Sequence, residues 1–204
     1  MKYFSDVRGY IFLLLSRCRL GVFCFLSSAW CKTILFLRGV RYGPRNRYFG
    51  ILKAKRLPMS IIKIGSHNIF RSDSSSNLIG VSHRCILSTH SKAAVIEIGN
   101  NCGFSGVTIG AHQKITIGNN VLCGANVTIT DFDWHFSRYP SESRPVIIHD
   151  NVWLGFNVTV LKGVEIGCNS IIGANSLVVT SIPANVIAAG NPCKVIKSIS
   201  GHGE

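Results

Sequence analysis

The stretch densest in reactive side chains is TDFDWHFSRYP, Thr130 to Pro140. Two carboxylates, Asp131 and Asp133, precede one imidazole, His135. An imidazole titrates near neutrality, so it can take a proton from a hydroxyl that is otherwise a poor nucleophile. A carboxylate on its second ring nitrogen would fix the tautomer and steady the cation that forms. Those residue types make His135 a candidate general base, with Asp133 or Asp131 as its orienting acid. A histidine in a polar loop is by default a solvated surface residue. What singles this one out is its position, where a regular pattern in the flanking sequence breaks.

That pattern counts in sixes. Ile148, Leu154, Val160, Ile166, Ile172 and Val178 follow one another at intervals of six. The position four after each is Val152, Val158, Val164, Ser170, Ser176 or Ile182, all small or β-branched. A helix repeats every 3.6 residues and a simple strand every two, so neither predicts a strict six. Short strands separated by tight turns do. Gly155, Gly167 and Gly173, with Asn151, Asn157, Asn169 and Asn175, are the residue types that take a left-handed turn conformation. Fixed-period self-similarity marks a solenoid. Upstream, Ile64-Gly65 and Ile79-Gly80 open imperfect repeats, better ones start at Ile98-Gly99, and Ile117, Cys123 and Ile129 restore the spacing. From Ile129 to Ile148 the interval is 19, and Thr130 to Ile147 loses the pattern. An outward loop between turns of a solenoid is expected there, and such loops usually carry function.

These hexads resemble the hexapeptide-repeat acyltransferases. NVWLG at Asn151 to Gly155 and VIAAGNPCKVI at Val186 to Ile196 resemble the sugar O-acetyltransferases of that superfamily, and the likeness runs from about Lys63 to Ile199. The resemblance implies an all-β left-handed parallel β-helix, three hexads to a triangular coil, a homotrimer, and acetyl-CoA as donor. The loop resembles the active-site loop of the family, which ends in an Asp-aromatic-His element, and so implies His135 as the base. By the same resemblance Trp153, Gly155, Ala174 and Ser176 line a donor groove between two β-helices, where turn amides hold the pantetheine arm. Lys194 and Lys197 stand where the family carries basic residues for the phosphates. Where relatives have Lys-Asp this chain has Thr180-Ser181, so one expected phosphate contact is missing. Ser105, in GFSGVTI, falls in a stretch resembling the acceptor cleft, although a turn serine reads the same way. The expected reaction is acetyl transfer to a sugar hydroxyl, with backbone amides stabilising the oxyanion. The expected acceptor belongs to a surface-polysaccharide precursor or a lipid-linked glycan. A non-catalytic scaffold, or an enzyme for a small soluble acceptor such as an amino acid, amino sugar or antibiotic, are the alternatives. The same fold builds zinc carbonic anhydrases, but His112 is followed by Ile117 where a second ligand would stand, and His83 and His90 are wrongly spaced. No metal is expected.

The elements that present this site carry an uneven charge. Of 22 Lys and Arg, twelve lie in residues 1–60 beside one acid, Asp6, which gives that segment 12 − 1 = +11 of the formal +13. Residues 10–37 are rich in Leu, Phe, Ile and Trp, yet Arg17, Arg19 and Lys32 interrupt them, and the longest uncharged run, Leu20 to Cys31, is twelve residues. A span needs about 20, and no small-residue cleavage site follows, so neither a membrane span nor a signal peptide is expected. Two short helices fit, which either lie on an anionic membrane surface or pack on the first coils or a neighbouring subunit. The basic, Tyr-containing run to Arg56 could suggest nucleic acid, but no nucleic-acid motif follows. The domains expected are thus 1–60, helical and basic, and 61–204, the β-helix with its active-site loop at 130–147. Eight cysteines lack any CxxC pair, so they read as reduced and mostly buried fillers of a cytoplasmic protein, peripheral on the inner face of the membrane if the N-terminus docks there.

Overall fold

The computed structural model describes residues 6–135 and 142–199. A helix, α1 (Val7–Leu37), leads into strands that wind round three sheets in turn. The first coil is β1 (Arg41–Tyr42), β2 (Arg47–Phe49) and β3 (Lys53–Lys55). The second is β4 (Ile61–Ile64), β5 (Ile69–Arg71) and β6 (Ile86–Thr89), and the third β7 (Val95–Ile98), β8 (Gly103–Ser105) and β9 (Thr108–Ala111). The fourth is β10 (Lys114–Ile117), β11 (Leu122–Ala125) and β12 (Thr128–Thr130). The fifth is β13 (Val146–Ile148), β14 (Trp153–Leu154) and β15 (Thr159–Val160), and the sixth β16 (Glu165–Ile166), β17 (Ile171–Ile172) and β18 (Leu177–Val178). The first strand of every coil joins one sheet (A), the second another (B), the third the last (C). β19 (Val186–Ala189) extends sheet B in parallel, and β20 (Lys194–Ser198) closes it antiparallel. The chain is a left-handed parallel β-helix.

The spacing of six explains the winding. Ile148, Leu154 and Val160 pair in register with Ile166, Ile172 and Val178, a recurrence of 18 residues per coil. These six, and the residues four after each, are buried. Each hexad thus turns two side chains inward, and each fully buried Ile, Leu or Val contributes about 1.5–3 kcal/mol. At the corners Asn151, Asn157, Asn169 and Asn175 do hold left-handed backbone, with φ of 55–60°. The hexad glycines differ from expectation. Gly155 and Gly167 are not left-handed; a Cβ on them would stand 2.7 Å from Ala174 N and 2.4 Å from Ala184 N. Their role is to let neighbouring coils stack closely.

Two further expectations change. The N-terminal helical region is one helix of 31 residues, not two, because nothing between Val7 and Leu37 breaks it. The β-helix starts at Arg41, about twenty residues before 61, because the basic stretch alternates. In β2, Tyr48 points inward between exposed Arg47 and the next turn, and its ring stacks on Phe70, which stacks on Phe104. Helix α1 docks on this first coil through Ser27, Cys31 and Leu35, one stripe at helical spacing. Tyr48 N donates to Ser28 Oγ at 2.9 Å and Tyr42 OH to Lys32 O at 3.0 Å. All eight cysteines are unpaired, and burial pushes Cys123 well up and Cys102 to about 11, so these thiols stay protonated.

Candidate active site

Two excursions leave the coils. Residues 72–85 leave between sheets B and C of the second coil, and residues 131–135, with 142–145 returning, leave between sheet C of the fourth coil and sheet A of the fifth. The second is the predicted loop. It rises above two earlier corners of the same edge, because Thr89 pairs with Ala111 and Gly110 with Thr130. That register stacks His90, His112 and Phe132 at successive C-to-A corners. The Phe132 ring lies 4.8 Å from that of His90 and 5.8 Å from that of His112, and Trp134 meets His90 edge-on at 4.8 Å.

Asp131 anchors the loop. It is wholly buried, and its two oxygens accept from His112 N at 2.6 Å and Gln113 N at 2.8 Å. Its carboxylate is therefore committed to backbone amides of the coil below, which gives it a different task from the ring-orienting one expected: it fixes where the loop begins. Arg144 N, donating to Asp131 O at 2.9 Å, ties the far end of the loop to the same residue. Asp133 forms an ion pair with Lys162 at 2.6 Å. His135 is exposed, and among the described residues no hydrogen bond reaches its ring. Part of the expected loop, residues 136–141, lies outside the described residues.

In sequence, His90 and His112 stand out only as possible metal ligands. Here they floor the loop. The His90 Nε2 sits 2.9 Å from Ser88 Oγ, and the His112 Nδ1 sits 3.3 Å from Ser143 Oγ. Burial, the nearby Lys55 charge and His112 hold His90 below the ordinary histidine pKa, against a smaller opposing pull from Asp131. The signal that could have found them is the coil register, which a count of sixes loses across imperfect repeats.

The other predicted residues gather on sheet B. Leu122, Trp153, Ile171, Ile187 and Lys197 pair in one row across its strands. Trp153 is about half exposed, and with Arg71, Asn77, Gly103, Ser105 and Gly124 it lines a groove of about 260 Å³. Ser105 Oγ accepts from Asn77 Nδ2 at 3.1 Å, which brings the first excursion over this groove. Lys194 and Lys197 are exposed on β20. Gly155 and Ala174 stack at the B-to-C corner, where Gly155 N is already donated to Ile172 O at 2.8 Å. Gly155 thus supplies shape there and no free amide. Ser176 turns inward; its hydroxyl donates to Gly173 O at 2.6 Å and accepts from Gly190 N at 3.0 Å. The His135 loop leaves from the one corner that sheet B does not share, so among the described residues a single chain does not bring the loop to the groove.

Residues 145–180 match a family model described as bacterial transferase hexapeptide (six repeats). The chain is 46% identical over 112 residues to galactoside O-acetyltransferase of Escherichia coli K12, covering 52% of this chain and 55% of that protein. It is 47% identical over 99 residues to galactoside O-acetyltransferase of Lactococcus lactis, covering 46% and 48%. It spans about half the length of these curated relatives. Among solved structures, a mutant of AntD, an N-acyltransferase from Bacillus cereus in complex with dTDP-4-amino-4,6-dideoxyglucose and coenzyme A, superposes with a TM-score of 0.65 at 17% identity. That match covers 83% of this chain and 89% of AntD, and it is a likeness of fold.

Proposed function

We propose that this chain, whose residues 145–180 belong to the bacterial transferase hexapeptide family, moves an acetyl group from acetyl-CoA to a hydroxyl of a sugar. The observation that carries the reading is the loop itself. A solenoid of transferase hexads turns one imidazole outward on a loop whose base is pinned by Asp131 and floored by two more histidines. The two galactoside O-acetyltransferases among its relatives favour a sugar hydroxyl over an amine.

In this reading His135 takes the proton of the sugar hydroxyl as the oxygen attacks the thioester carbonyl. The carbon–sulfur bond then breaks, and the thiolate of CoA leaves and collects that proton. The exposed row on sheet B suits the donor. Trp153 offers an apolar face for the thin pantetheine arm, and Lys194 and Lys197 offer cations to its phosphates. Arg71, Asn77 and Ser105 in the neighbouring groove suit a hydroxylated acceptor. Loop and groove meet only if they come from two copies of the chain, so the working enzyme is a ring of copies with shared sites, three by the resemblance.

The test is transfer of radiolabelled acetyl from acetyl-CoA to a panel of mono- and oligosaccharides by the full chain. An alkali-labile ester on a sugar is the expected product. No label on any sugar, with label instead on an amine acceptor, would replace the reading with N-acetylation.

A further inference from the structure

Helix α1 is longer than its docking requires. At 1.5 Å per residue its 31 residues run about 46 Å. Only Ser27, Cys31 and Leu35 are buried. The remainder exposes Tyr10, Phe12, Leu14, Leu15, Phe25 and Trp30, each more than half accessible. The run from Ile11 to Leu15 is apolar on all sides of the helix, so no rotation gives it a wet face. An all-round apolar helix in water needs a cover.

The same end of the solenoid carries the charge. Arg38, Lys53, Lys55 and Arg56 line a cleft of about 320 Å³ between the helix end and the outermost strand of sheet C. Arg56 Nη1 is held by Ser60 O at 2.8 Å, and Lys53 and Lys55 point outward. Among the described residues no ion pair uses a cation from residues 6–60. Arg19 lies near enough to Asp73 to help lower its carboxyl pKa, but among the described residues Arg38, Lys53, Lys55 and Arg56 form no ion pair, and their charge faces outward.

We propose that this end of the molecule docks on an anionic lipid bilayer, with α1 lying in the plane of the interface. The apolar side chains of its first half enter the acyl boundary, and the first-coil cations meet the headgroups. On length and composition α1 could also cross a bilayer. Its place on the protein argues otherwise: Leu20, Phe23 and Cys24 are already partly buried where the helix passes Asp73 and Ser75 of the solenoid, which leaves Val7 to Arg19 free. Thirteen residues reach about 20 Å, roughly two thirds of the hydrocarbon core. A second copy is the poorer cover. Residues 1–60 carry +11, so two such ends face to face repel.

Flotation with liposomes tests this without any turnover, so its result stands apart from the acetyl-transfer reading. The full chain is expected to float with phosphatidylcholine vesicles containing phosphatidylglycerol and to remain largely behind with phosphatidylcholine alone. Raising salt until the screening length falls from about 8 Å to about 3 Å should release part of it, the apolar contact holding the rest. Phe12→Ser with Leu15→Ser and Phe25→Ser should weaken binding about tenfold or more at unchanged circular dichroism and sedimentation. Lys53→Gln with Lys55→Gln should flatten the salt response. Equal flotation of the full chain with both vesicle types, or none with either, would overturn the proposal. So would a serine variant that floats like the parent, or one that sediments as smaller particles, since the helix would then be covering another copy.

Discussion

At the scale of the residue, the His90 column is where the site touches stability. Burial and Lys55 hold His90 below its ordinary pKa, so the fold prefers the neutral ring. The unfolded chain then binds more protons than the folded one as pH falls. Stability from this group is complete above the unfolded pKa of about 6.5 and is lost as pH drops through the lower folded value. Urea midpoints measured from pH 7 down to pH 5 should fall more steeply for the parent than for His90→Gln. Parallel curves would show that the ring titrates alike in both states. Of the predicted site residues, His135 was legible because its loop interrupts a regular count. The task of Asp131 was not, because two acids two residues apart look alike in sequence; only the register decides which one meets the amides of His112 and Gln113.

At the scale of the element, the corners hold the coils in step. Asn120, Asn151, Asn169 and Asn185 form a ladder of side-chain amides, with Asn151 Nδ2 donating to Asn169 Oδ1 at 3.0 Å and Asn169 Nδ2 to Asn185 Oδ1 at 2.8 Å. Asn169 also holds a φ of 59°. Asn169→Ala removes the two ladder bonds and forces a Cβ-bearing residue without a local polar partner into left-handed backbone. Together these should cost about 2–4 kcal/mol. Asn169→Gly loses only the bonds, so thermal unfolding should rank parent, Gly, Ala; Gly falling below Ala would mean that the backbone is not strained there. The asparagines were legible as turn residues. The first coil was not, because β1 to β3 are two or three residues long and their outward positions are Arg and Lys, which reads as a charge run. The unbroken helix was hidden likewise by Arg17 and Arg19, which interrupt apolarity without interrupting helix.

At the scale of the whole molecule, the triangular section separates loop from groove. Sheet B carries Trp153, Ser105 and Lys197, while the loop leaves where sheets C and A meet. If the site is shared between copies as proposed, assembly is a condition of activity. Sedimentation equilibrium should give three times the chain mass of 22.3 kDa, and a fully active monomer would contradict a site divided between copies. The central claim is narrower still: one loop imidazole takes the proton in acetyl transfer. The most direct measurement compares acetyl-CoA turnover on the best sugar acceptor by the parent chain and by His135→Ala, each checked for unchanged circular dichroism and mass. The account predicts a loss of roughly 10²–10⁴-fold in turnover number. Near-parental turnover by the folded variant would contradict it and pass the role of base to another group of the loop.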